Sequence, residues 1–228
     1  MGKTTKVVEK EKTLDLYNSD REEFYTRMSA EQKAMYNSIR DNIFTFCEAN
    51  AGSGKTLCSV NAMVELLAEG KISKIIYIQK PSERYLSNGF LPGTAEDKLE
   101  MLYTPLYDAL NTLGFFDSAI EEMIDKGMLQ CISDMALRGV NIKSAGVILD
   151  EGQNLDYHTL KLILTRCSDD SHIVMIGDSL QRDNRRASTD FVAYGNYLAE
   201  KPFGNKVKLT HNYRGIFSQT AEKFIFEG

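Results

Sequence analysis

Long apolar runs, excess positive charge and clustered metal ligands are what this sequence lacks. No stretch of its 228 residues approaches the roughly 20 apolar residues of a membrane-crossing helix, which argues against a membrane partner. The charged start, Met1 to Lys12, has no apolar core of a secretory signal, and Lys6 stands where a myristoylation motif opened by Gly2 needs Ser or Thr. A cytoplasmic location is therefore expected. Cys47, Cys58, Cys131 and Cys167 form no C-x-x-C pair, and Cys47 and Cys58 fall inside apolar segments, so buried thiols are expected rather than zinc ligands or disulfides. His158, His172 and His211 have no helical partner at i+4 that could share a metal. The 27 basic residues are outnumbered by 32 acidic ones, so a net charge of −5 gives no global attraction for nucleic acid, although a local patch stays open. A hydrophobic fraction of 43% and a charged fraction of 26% describe a globular chain, long enough for one α/β domain with a full core.

What is present centres on Ala49-Asn50-Ala51-Gly52-Ser53-Gly54-Lys55-Thr56. An apolar run, Ile43 to Cys47, precedes it, and helix formers from Leu57 to Leu67 follow it, which is the strand–loop–helix context of a phosphate-binding loop. Gly52 and Gly54 allow the tight curl that points successive N–H groups at one anion, with the following helix dipole behind them. Asn50, Ala51 and Ser53 complete this cradle, Lys55 supplies charge to the β and γ phosphates, and Thr56 is a magnesium ligand. Ala49 replaces the usual first glycine of G-x-x-x-x-G-K-[ST] at a position expected to face the strand end.

Before the loop, residues 1 to about 20 show no apolar periodicity and are expected to form a mobile arm, with residues 21–228 as one domain. Helical spacing runs from Arg21 to Ile39, interrupted by Ser29 as an N-cap with Gln32 completing a capping box. Gln32 has a second reading, as a side chain whose amide bonds both the N6 donor and the N7 acceptor of adenine and so selects ATP. After the loop helix, Lys74 to Gln79 reads as a buried strand, followed by a loop around Gly89-Phe90-Leu91-Pro92-Gly93 placed where open α/β sheets put ligands. Helices are expected over Ala95 to Leu113 and Ser118 to Asp125, and a strand over Met128 to Ile132.

Ala145 to Leu149 is an apolar strand that ends in Asp150-Glu151, the pattern of a Walker B element. Asp150 then belongs to the magnesium shell and Glu151 activates water. A short helix includes Leu160 to Leu164, and the strand Ile173 to Ile176 ends in Gly177-Asp178-Ser179-Leu180-Gln181. If this strand lies beside the phosphate-loop strand, Asp178 and Gln181 face the γ-phosphate; the bland alternative is a Gly-Asp turn. Arg182, Arg185 and Arg186 form the densest basic cluster, open to a phosphate backbone, a neighbouring subunit or water, in cis or in trans. A last strand is expected at Val207 to Thr210 and an amphipathic helix at Ser218 to Phe226. Arg214, between them, is a candidate for stabilising a transferring phosphoryl group, or a surface residue.

Over about residues 29–226 this order of motifs resembles the PhoH-like ATPases, relatives of the RecA-like core of superfamily-one helicases. The marks are Ala51 to Thr56, Gly89 to Gly93 followed by Pro105 to Leu110, Arg138-Gly139, Asp150-Glu151-Gly152-Gln153-Asn154, and Gly177-Asp178 with Gln181. Ala49, Gly152 in place of alanine and Lys80 in place of arginine depart from the pattern, and Asn212-Tyr213-Arg214 is closer to helicases. The resemblance implies a three-layer α/β/α RecA-like P-loop NTPase with a mostly parallel sheet, ATP with Mg2+, RNA or single-stranded DNA as partner, and a homo-oligomeric ring.

The expected function is magnesium-dependent ATP hydrolysis, with Lys55, Glu151, Gln181 and Arg214 at the reacting phosphate. An ATP-binding switch or assembly protein with little turnover is the alternative. A small-molecule kinase fits less well, because the acid pair and Gln181 suit attack by water.

Overall fold

Four apolar strand segments without an alternating polar face dictate a sheet covered on both sides, because parallel strands buried twice read as continuous apolar runs. The computed structural model describes residues 18–80, 95–133, 141–181 and 185–221, and shows this arrangement. The described elements are α1 (Asn18–Arg27), α2 (Ala30–Asp41), β1 (Phe44–Ala49), α3 (Lys55–Ala68), β2 (Lys74–Gln79), α4 (Ala95–Thr112) and α5 (Asp117–Asp125). They continue with β3 (Leu129–Ser133), β4 (Ala145–Asp150), a 3₁₀ turn (Gly152–Asn154), α6 (Tyr157–Leu164), β5 (His172–Gly177), α7 (Arg185–Ala199), β6 (Gly204–Leu209) and α8 (Ile216–Ala221). The Gly89–Gly93 loop, Arg138-Gly139, Arg182, the first 17 residues of the expected arm and the end of the expected C-terminal helix lie outside the described residues.

The six strands form one sheet in the order β3-β2-β4-β5-β1-β6, and every pairing is parallel. The C-terminal ends of all six therefore share one edge, where Ala49, Gln79, Asp150, Gly177 and Leu209 end their strands. The fold is α/β, in three layers. On one face α3 packs beneath α2 and α4, joining Met35, Ile39, Met63, Leu66, Tyr77, Leu106 and Leu110 in one core. On the other face α6 and α7 cover Phe46, Val147, Leu149 and Met175. Each large apolar side chain so buried contributes about 1.5–3 kcal/mol to the driving force.

Local signals set the element ends. Ser29 caps α2 through a capping box, its hydroxyl accepting from Gln32 N and the Gln32 side chain accepting from Ser29 N. Asp156 caps α6 by accepting from Thr159 N at 2.9 Å, which starts this helix earlier than its apolar residues suggest. The last strand begins at Gly204 rather than Val207, because pairing with β1 recruits polar residues at the sheet edge. Helix α7 begins at Arg185, inside the basic cluster, where no helix is expected from the sequence. Its inward residues are Phe191 and Gly195; a Cβ on Gly195 would stand 2.5 Å from the Phe46 ring, so glycine lets this helix lie close on the sheet.

Candidate functional site

Two chain reversals at the shared strand edge bring the site together. The first is the loop from Asn50 to Gly54. Gly52 and Gly54 adopt φ of 67° and 81°, the left-handed conformation that only glycine takes without strain. A Cβ on Gly52 would also overlap the Asn212 side-chain oxygen. The loop is clamped from three sides. Asp178, at the end of β5, accepts from Ala51 N at 3.1 Å and from Leu180 N at 2.9 Å. Gln32 donates from Nε2 to the Ser53 carbonyl at 3.0 Å. Asn50 donates from its backbone to Leu209 O and from its side chain to Thr210 O, and Tyr213 N donates to Gly52 O at 2.9 Å. Ala49 ends β1 inside the core, paired with Leu209, so a side chain is accommodated there.

The second reversal is Asp150 to Gln153. Asp150 is 1% exposed, yet both carboxylate oxygens are paired: Oδ2 accepts from Thr56 Oγ1 and from the Tyr77 hydroxyl, both at 2.7 Å, and Oδ1 accepts from Glu151 N at 2.7 Å. Burial, and next the Asp150 charge, push the Tyr77 hydroxyl far above its ordinary titration range, so it keeps its proton and donates it to Asp150. Glu151 sits at φ 51°, a conformation a side chain rarely takes, and this turns its carboxylate toward Lys55, whose Nζ is 3.9 Å from Oε1. Gln153 donates to the other oxygen, Oε2, at 2.6 Å, and its own Oε1 accepts from Asp178 N at 3.1 Å. The Glu151 carboxyl is raised above the usual range chiefly by burial and next by the Asp150 charge, with Lys55 and Gln153 opposing.

An open cleft of about 470 Å³ lies over the loop. It is lined by Gly52, Gly54, Lys55 and Thr56 of the loop, by Pro105, Asp108, Ala109 and Thr112 of α4, and by Tyr213 and Arg214, which lie against Gly52. Its volume falls within the usual range for small-molecule sites. Of the residues singled out in the sequence, Lys55, Thr56, Asp150, Glu151 and Gly52 to Gly54 meet at one place. Arg214 lies at the cleft, its stem over Gly52. Gln181 is exposed at the end of the turn that begins at Asp178. Asp178 and Gln32 hold the loop from behind, and both ends of the Gln32 amide are engaged within the protein. Gln153 and Tyr213 stand in segments that mark the family resemblance but, like Tyr77, were not expected at the site. An aromatic shortly past a final strand, and a tyrosine in an otherwise aliphatic strand, were the available signals.

Residues 25–211, most of the chain, match the PhoH-like protein family. The chain belongs to the PhoH-like family. It is 32% identical over 213 residues to the protein PhoH2 of Thermobispora bispora, covering 90% of this chain and 48% of that protein. A PhoH-like protein of Bacillus subtilis is 34% identical over 152 residues, covering 67% of this chain and 47% of its own length. The chain thus spans about half the length of the curated PhoH-like relatives it matches. Among solved structures, the large terminase of a thermophilic bacteriophage superposes with a TM-score of 0.54 at 15% identity, over 88% of this chain and 50% of that one. This likeness establishes the RecA-like P-loop fold.

Among the described residues no three His, Cys, Asp or Glu side chains gather to hold a metal unaided, and no helix is long and apolar enough to cross a membrane. The Thr56–Asp150 pair is the one-hydroxyl, one-carboxylate arrangement that suits a cation completed by phosphate and water.

Proposed function

We propose that this PhoH-like chain is a cytoplasmic, magnesium-dependent ATPase whose turnover is coupled to RNA or single-stranded DNA, acting within a homo-oligomeric ring. The observation that carries the ATPase reading is the meeting of Thr56 with Asp150 and of Lys55 with Glu151, from segments more than ninety residues apart, beside one open cleft. The loop amides and Lys55 bind the phosphates. Thr56 and Asp150 hold magnesium, which when bound neutralises charge across the β and γ phosphates. Glu151 takes the proton of the attacking water; Gln153 keeps its carboxylate oriented, and a phosphate that draws Lys55 away leaves Oε1 free for that proton. Gln181 senses the γ-phosphate from the turn that follows β5, and Arg214, whose stem lies against Gly52, stabilises the charge that develops on it. The strand and the ring rest on the resemblance to RecA-like motors, which bind single strands and complete their sites between two such cores.

The test is phosphate release from ATP by the wild type and by Glu151→Gln, with and without single-stranded RNA or DNA. Turnover that rises with a strand and vanishes in the variant, while nucleotide binding persists, is the expected result. Undiminished release by Glu151→Gln overturns the assignment of the base, and tight binding without any release identifies a nucleotide switch instead. Lys55→Ala is expected to weaken ATP binding in a direct titration.

A further inference from the structure

Strand β2 contributes two polar side chains to the face that carries Asp150, and neither belongs to the phosphate loop or the acid pair. Residues two apart on a strand share a face, so Tyr77 and Gln79 both lie on the side covered by α3. In register, Gln79 stands directly beside Asp150. Tyr77 is fully buried and spends its hydroxyl on Asp150 Oδ2, the same oxygen that accepts from Thr56. With two donors on Oδ2 and the Glu151 amide on Oδ1, the carboxylate plane is fixed toward the loop helix. Gln79 presents the opposite situation: its side-chain oxygen is buried and, among the described residues, accepts no hydrogen bond. A buried acceptor left alone costs roughly 1–3 kcal/mol, so it marks a place where a donor arrives. Magnesium keeps several of its waters when it binds proteins, and every such water brings protons that need acceptors.

We propose that β2 completes the cation site: Tyr77 is a positioning residue that fixes Asp150, and the Gln79 oxygen accepts a hydrogen bond from a water of the hydrated cation. This rests on the reading of Thr56 and Asp150 as magnesium-holding residues. It predicts that both side chains govern how much magnesium the nucleotide complex requires, without governing nucleotide binding itself.

The experiment is a calorimetric titration of ADP into the full chain at increasing MgCl2, and in EDTA, for wild type, Tyr77→Phe and Gln79→Leu, with melting temperatures taken alongside. For each variant the magnesium concentration that half-restores tight ADP binding is expected to rise about tenfold, the usual effect of losing a group behind a metal ligand. Affinity in EDTA is expected to stay at the wild-type value, because Lys55 and the loop amides are untouched. A lowered melting temperature with unchanged magnesium dependence in both variants overturns the inference and leaves Tyr77 a structural hydroxyl. Wild-type binding that ignores magnesium overturns the metal reading and this inference with it. Should Tyr77→Phe not fold, Gln79→Leu carries the same test, since its amide makes no bond from that oxygen that folding needs.

Discussion

Gly152 illustrates how one residue's size is set by a neighbour far away in sequence. A Cβ there would stand 2.5 Å from the Phe191 ring, because α7 presses on the 3₁₀ turn that follows the acid pair. The alanine found in the family pattern therefore does not fit beside this phenylalanine. Gly152→Ala is expected to lower stability by about 1–3 kcal/mol, the usual cost of overpacking, and Phe191→Leu in the same chain should recover much of it. Urea unfolding of the two single variants and the double variant measures the coupling; additive losses would show that the two side chains do not compete for space. Gln153 is the second case. Its amide links Glu151 to the backbone of Asp178, so it ties the acid proposed to activate water to the strand that clamps the loop. Gln153→Leu should reduce the rate of phosphate release while leaving ADP affinity close to wild type, because the loop's own contacts remain. A fall in affinity without a fall in rate would show that Gln153 serves the loop instead.

Helix α2 shows how a capping motif is put to a second use. The box formed by Ser29 and Gln32 starts the helix, and the same glutamine amide reaches the Ser53 carbonyl across the chain. Loss of such a cap costs about 1 kcal/mol. Gln32→Ala is expected to lower the melting temperature and weaken binding of ATP and GTP alike, since the side chain holds the loop. Loss of ATP affinity alone, measured against GTP, would restore the reading of Gln32 as an adenine contact. At this scale the sequence was informative where periodicity is strong: β2 spans Lys74–Gln79 as expected, and α4 ends within a residue of expectation despite Pro105 inside it. It failed at α7, where Arg185 and Arg186 drew attention to charge, and at β6, where polar residues become a strand because β1 offers an unpaired edge. Neither case has a local signature strong enough to outweigh what the neighbouring element imposes.

For the molecule as a whole, α2 is joined to the segment after β6 by an acid-sensitive contact. Glu31 at the start of α2 accepts from both the backbone and the hydroxyl of Thr210, just past β6. These two bonds, side chain first, hold its carboxyl below the ordinary value of 4.5. A carboxyl depressed by folding contributes stability that is complete above about pH 4.5 and is lost as pH falls through its folded value. Melting temperatures of the wild type should therefore fall more steeply between about pH 5 and about pH 3 than those of Glu31→Gln. Parallel curves would show that Glu31 titrates as it does in the unfolded chain.

The sequence by itself determined that a phosphate loop follows a buried strand, that an acid pair ends another, and that the sheet between them is covered on both faces. Each follows from local chemistry: glycines that permit left-handed backbone, a lysine and threonine at a helix start, apolar runs too short to do anything but cross a core. Only the tertiary structure decided which strand ends are neighbours. The order β3-β2-β4-β5-β1-β6 sets β5 beside β1, so Asp178 grips the loop, and sets β2 beside β4, so Tyr77 meets Asp150. Strand order is chosen by packing of whole helices over the sheet, and no single segment carries that information.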